Sequence, residues 1–283
     1  MCAFENHHSS IAVASRLTPL ALLHHHPFAT SAFSAAACSA SCFEFALGLR
    51  FNLNLGTLSL MANREPIQVD EWYHCYNRGV DKREVFLEER DYERLLLLMY
   101  LGKRAGPIQL FNESKIHLET ILNESIVAKK SAIVEIGAYA LMPNHFHFVL
   151  KEIQEGGIAL FMQKVFTGYT MYFNQKNERT GALFAGTFKS KHIADDQYLK
   201  HLVSYVHLNP ADLFESGWRR GGNNISIVEK GLREYPYSSL PDFLGIPRPH
   251  RAILDRSIFE LFERIPSMKA IMREAKTYEN LNV

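Results

Sequence analysis

The run Leu141-Met142-Pro143-Asn144-His145-Phe146-His147-Phe148-Val149-Leu150 limits what this chain can fold into more than any other stretch. An apolar segment, Ala132 to Met142, precedes the Pro-Asn pair, and an alternating one, His145 to Lys151, follows it. The pattern predicts two strands joined by a tight turn. Successive strand side chains project to opposite faces, so His145 and His147 share one side while Phe146 and Phe148 share the other. Two imidazoles on a rigid strand are a ready-made pair of metal ligands, suited to Mg, Mn or Zn sites that other groups complete. Two polar residues on a half-solvated strand face would look the same, so the pair needs company before it means chemistry.

The surrounding pattern is regular from residue 62 onward. Glu71 to Asn77 is aromatic-rich and strand-like, closed by the turn residues Arg78-Gly79-Val80-Asp81. Glu88 to Lys103 sets Tyr92, Leu95, Leu96, Met99 and Tyr100 at helical spacing behind an acidic first turn. A loop and a helix around Ile116 to Val127 are expected within residues 104–131. Gly157 to Asn174 reads as an amphipathic helix, and Gly181 to Ile193 as a ribbon carrying Lys189 and Lys191. Asp195-Asp196 then caps a helix through Tyr198, His201, Leu202, Tyr205 and Val206, which Pro210 ends soon after Leu208. The order β-α-β-β-α with a further helix predicts an α+β fold, an antiparallel sheet flanked by helices. Residues 216–283 are expected to form a C-terminal extension, irregular and then helical.

Residues 1–60 depart from this composition: Ala- and Ser-rich, with only Glu5, Arg16, Glu44 and Arg50 as charges. A secretory signal would need a basic start and an unbroken apolar core, and neither is present. The segment is expected to be a disordered leader upstream of a start at Met61. With 31 basic and 30 acidic residues in 283, net charge says nothing about an anionic partner. No charge-free apolar run is long enough to predict a membrane span. Cys2, Cys38 and Cys42 fall in the leader and Cys75 stands alone, which yields neither a disulfide framework nor a CxxC zinc site and fits a reducing cytoplasm.

Two further features bear on chemistry. From Tyr198, the offsets +3 and +7 place His201 and Tyr205 on the same helical face, so a hydroxyl nucleophile sits beside another imidazole. A tyrosine hydroxyl with a pKa of about 10 attacks only a strongly polarised target, such as a phosphodiester held against a divalent ion. Spacing alone leaves Tyr169, Tyr172 and Tyr205 as rival nucleophiles. The stretch Lys176-Asn177-Glu178-Arg179, followed by Phe184, Phe188, Lys189 and Lys191, interleaves cations with aromatics. Single-stranded nucleic acid is gripped in this way, phosphates by cations and bases by rings, although a solvated turn would also be charged.

Taken in order, Tyr73-His74-Cys75-Tyr76-Asn77-Arg78-Gly79, Ala140 to Val149, Tyr172-Phe173-Asn174 with Arg179 to Ser190, and Tyr198-Leu199 leading to Tyr205-Val206-His207-Leu208-Asn209-Pro210 resemble the HUH single-tyrosine transposases, within them the REP-associated tyrosine transposases. The likeness spans about residues 70–215 of an expected catalytic domain over residues 62–215. It implies a ferredoxin/RRM-like sandwich. It also implies a divalent ion, Mg or Mn, bound by His145 and His147, and attack on single-stranded DNA by Tyr198 to leave a 5′-phosphotyrosine and a free 3′-OH. His201 is the nearest polar residue for a third ligand on that helix. DNA contacts are expected from Arg78, Lys176, Arg179, Lys189 and Lys191. By the same resemblance the partner is hairpin or single-stranded DNA, the protein is cytoplasmic and nucleoid-associated, and a homodimer is one arrangement relatives use.

Rival functions are narrowed by what the chain lacks. An amidohydrolase barrel needs further metal ligands on later strands and a longer body than the about 220 residues after Met61. A triple-histidine nucleotide hydrolase needs another alternating imidazole, and position 149 is Val. A domesticated module that binds nucleic acid without cutting it remains the alternative from another class.

Overall fold

The computed structural model describes residues 66–108, 118–123, 131–218, 224–262 and 264–277. All belong to the second of two units, which divide between Leu60 and Met61. The expected leader, and most of the helix expected around Ile116 to Val127, lie outside the described residues; Leu118–Asn123 is a short helix, α2.

Four strands form one antiparallel sheet in the order β2-β3-β1-β4: β1 is Trp72–Arg78, β2 Val134–Met142, β3 His145–Glu152 and β4 Lys189–Ile193. With helix α1 (Glu89–Gly102) after β1 and α3 (Gly157–Lys176) after β3, the chain traces the split β-α-β of a ferredoxin-like sandwich. The strand pair anticipated around Pro143-Asn144 is β2-β3, with Met142 opposite His145. The ribbon expected over Gly181 to Ile193 is a strand only from Lys189. Gly181 and Gly186 take positive φ, 86° and 67°, which breaks the extended path and leaves one isolated bridge, Gly79 to Phe184.

Alternation assigns the two faces of the sheet. On one, Phe146 stacks on Phe166 of α3 at 4.4 Å between ring centres, and Phe148 meets Phe161 of α3 edge-on at 6.5 Å. Helix α1 packs beside α3, and its buried Leu95, Leu96, Leu98 and Met99 complete this core. Glu152, fully buried at the end of β3, accepts hydrogen bonds from Gly157 N and Ile158 N and so caps α3. Gly157 must be glycine, because a Cβ there would lie 2.1 Å from the Ile133 carbonyl oxygen.

The opposite face is crossed by α4 (Asp196–Leu208), whose residues reach β2, β3 and β4. The predicted cap is present: Asp195 Oδ1 accepts from Tyr198 N at 2.7 Å. Asn209–Leu213 follows as a 3-10 turn with Pro210 near its start.

The segment expected as an extension covers the outer edge of β2. Leu141 N donates to Tyr237 O, Tyr139 N to Ser239 Oγ and Ile136 N to Asp255 Oδ2, so successive edge groups are paired. Helices α5 (Ile225–Glu234), α6 (Leu240–Phe243), α7 (Ser257–Glu260) and α8 (Met268–Thr277) lie along this segment. A second apolar cluster joins Val228, Leu232, Leu240, Ile271 and Met272 to Leu208 and Trp218. Among the described residues no helix is long and apolar enough to cross a membrane.

Candidate active site

The sheet face under α4 gathers three histidines, one more than the HxH pair. Cross-strand register sets Tyr76 directly opposite His147, and His74, two residues earlier on β1, diagonal to it. The His74 and His147 rings stack at 5.0 Å and 17°, with His74 Nε2 2.8 Å from His147 Nδ1. His145 lies perpendicular to His147 at 5.3 Å, and its Nδ1 is 2.6 Å from Asn144 Oδ1. Tyr205 of α4 stands edge-on to both His147, at 5.8 Å, and His74, at 6.2 Å.

These groups open on a cavity of about 420 Å³, lined by His145, His147, Tyr205, Asn209, Arg78 and Lys189 among others. Asn209 Nδ2 donates to Tyr205 O, one helical turn back, so its carbonyl oxygen is the end left for other partners. Lys189 Nζ sits 5.8 Å over the Tyr76 ring.

Burial sets the charge state of the imidazoles. Loss of solvent, with Arg78 close by, lowers His145 to about 4, and His147 is driven well below its ordinary value by burial and the neighbouring rings. His74 falls to about 3 through burial and Lys191. All three are therefore neutral near pH 7, the form in which imidazole offers a lone pair. Asn144 and His74 engage the Nδ1 atoms of His145 and His147, leaving each Nε2 as the ring nitrogen for a metal. Two neutral imidazoles beside an amide oxygen are a mixed nitrogen and oxygen donor set of a kind that fits a divalent ion, without selecting one metal.

The other expected residues divide. Tyr198 lies seven residues before Tyr205, about 10 Å along the helix axis, is not among the residues lining the cavity, and carries Lys191 Nζ over its ring at 5.6 Å. His201 is half-buried one turn before Tyr205, and no three His, Cys, Asp or Glu side chains come together as a metal site among the described residues. The expected set of His145, His147 and His201 is thus not assembled among the described residues: it is Tyr205, in the last turn of α4, that meets His147. Lys176 is bound to Glu88 and to the fully buried Asp91 at 2.7 and 2.6 Å. Arg179 holds Asn174 and the Ala182 carbonyl at the end of α3. Arg78, Lys189 and Lys191 remain beside the histidines.

One likeness among solved structures can be set against this arrangement. It is a REP-associated tyrosine transposase bound to a REP hairpin. The two share 17% identity over 72% of this chain and 97% of that one, with a TM-score of 0.39. No family model and no curated protein matches the chain. A likeness of this size leaves activity to be read from the side chains themselves.

Sequence reasoning passed over His74 and Asn209. Asn209 had a signal, the i+4 offset from Tyr205 that stacks both on one helix face. His74 had only its alternation with Trp72 and Tyr76, and that acquires meaning once the β1–β3 register is known.

Proposed function

We propose that this protein cleaves and rejoins single-stranded DNA through a tyrosine nucleophile assisted by a divalent metal, in the manner of the transposases its sequence resembles. The observation that carries the reading is the meeting of Tyr205 with His147 in a cavity that also holds His145, Asn209 and two cations. A hydroxyl, an electrophile-activating donor set and phosphate-binding charge are the three things phosphodiester transfer needs, and residue types able to supply each line this one cavity, which supports the reading.

His145 and His147, through Nε2, and Asn209, through its amide oxygen, would hold the ion. When bound, it would polarise a phosphate and offset the charge that develops on the phosphate oxygens. Arg78 and Lys189 would hold the flanking phosphates and set the strand's path. Tyr205, fixed by its helix, would attack phosphorus: its oxygen–phosphorus bond forms, the bond to the 3′ oxygen breaks, and the 3′ oxygen leaves with a proton. The phosphotyrosine keeps the energy of the broken ester, so a second 3′-OH could reverse the step without a nucleotide cofactor.

The assay is denaturing electrophoresis of protein incubated with labelled single-stranded hairpin DNA and Mn²⁺. Wild type and Tyr198→Phe should both form a covalent adduct, and Tyr205→Phe should form none. Loss confined to Tyr198→Phe would return the nucleophile to the residue that spacing favoured. An adduct that survives both changes would end the tyrosine mechanism. Replacing His145 and His147 by Ala should abolish the adduct yet leave hairpin binding largely intact.

A further inference from the structure

His145 and His147 are supported by partners of different chemistry. Next to His145, the Asn144 amide is oriented by its own donation to Lys82 O at 3.2 Å, so the oxygen facing His145 Nδ1 can only accept. That fixes the hydrogen of His145 on Nδ1 and the lone pair on Nε2. His147 Nδ1 instead faces His74 Nε2, and either ring can donate. One hydrogen lies between the two nitrogens. If His74 supplies it, His147 carries its own hydrogen on Nε2 and cannot ligate there; if His147 supplies it, Nε2 is available.

We infer that His74 is the positioning residue for His147, accepting its Nδ1 hydrogen so that Nε2 can take a divalent cation. The inference rests on the metal reading above and adds a residue to it. In this arrangement His74 carries its own hydrogen on Nδ1, a nitrogen that is buried and meets no hydrogen-bond partner among the described residues. His74 is wholly buried, its ring against those of Tyr76 and His147 and edge-on to Tyr205. A polar ring with an orphaned nitrogen is a poor choice for packing, where leucine would fill the space without an unpaired group. Its position makes sense as the support that holds His147's ring plane and tautomer.

The test is Mn²⁺ affinity, measured by electron paramagnetic resonance on the DNA-free protein, for wild type, His74→Leu and His74→Gln. Leu should weaken binding roughly ten- to a hundredfold, and Gln, whose amide oxygen can accept the same hydrogen, should recover most of it. Nitrogen-15 NMR of the Mg²⁺-saturated wild type reads the tautomers without any substitution, should the Leu variant fail to fold. His74 should carry its hydrogen on Nδ1. Unchanged Mn²⁺ affinity in a folded His74→Leu protein, or a hydrogen on His74 Nε2 in the loaded wild type, overturns the inference and leaves the metal site standing. Wild type that takes up no Mn²⁺ removes the metal reading itself, and this inference with it.

Discussion

Residue type alone does not say what a cation is for; its partners do. Lys176 and Arg179 belong to the same basic, aromatic stretch as Lys189 and Lys191, yet Lys176 neutralises a carboxylate that is wholly buried. Asp91 also accepts from Tyr172 and from the backbone of Leu87 and Glu88, so it organises the start of α1 against α3. Lys176→Ala is therefore expected to lower stability by roughly 1.5–3 kcal/mol, the range for a hydrogen bond to a charged group, with little change in the salt dependence of DNA binding; denaturant melts and binding isotherms separate the two. Arg78→Ala and Lys189→Ala should behave oppositely. Each should reduce the slope of log affinity against log salt by about one while leaving the melt unchanged.

Elements matter here for where their ends fall. Helix α4 brings Tyr205 and Asn209 to the histidines because its last turn overlies β3, and it starts where Asp195 caps it. Asp195→Ala removes that cap and is expected to cost about 1 kcal/mol, read as a lowered chemical-denaturation midpoint with an unchanged m-value. The start of α3 tolerates less. Gly157→Ala drives a methyl into the Ile133 carbonyl, a backbone group that cannot swing aside, and the expected loss is about 3 kcal/mol or more. Both elements were legible beforehand, α3 from its mixed three-and-four apolar spacing and α4 from its cap and its proline stop. The irregular path over 181–188 was not, because loose alternation cannot reveal where glycines turn the chain.

At the scale of the molecule, the C-terminal segment completes the sheet. Arg248 holds the buried Asp242 carboxylate and the carbonyls of Pro236 and Ser238, which fixes the strip that pairs with β2. Arg248→Ala leaves that carboxylate uncompensated, so a loss of about 3–5 kcal/mol and a tendency to associate through the exposed β2 edge are expected; melting and light scattering would register each. Acid should act on the same region. His207, bonded to Ser239 Oγ at 2.8 Å, is held at about 3 by burial and by Arg248, and His250 at about 4 for the same reasons. Their folded values lie below the unfolded value of about 6.5, so the unfolded chain binds more protons across this window. Stability is unaffected above pH 6.5 and falls as pH drops toward 4, each histidine adding a slope of up to about 1.4 kcal/mol per pH unit. His207→Gln should flatten the acid limb of a stability–pH curve; an unchanged limb would show that this histidine does not titrate as its burial requires.

The sequence by itself determined the α+β class, the strand pair around Pro143-Asn144, the shared face of His145 and His147, and the helices that flank them, because all follow from periods of two and 3.6 residues within a single segment. Tertiary structure decided which tyrosine meets the imidazoles, that Asn209 rather than His201 shares their cavity, that His74 backs His147, and which cations are spent on structure. Those facts depend on the register between β1 and β3 and on which turn of α4 packs over the histidines. Both are settled by packing between segments far apart in the chain, and no local pattern encodes them.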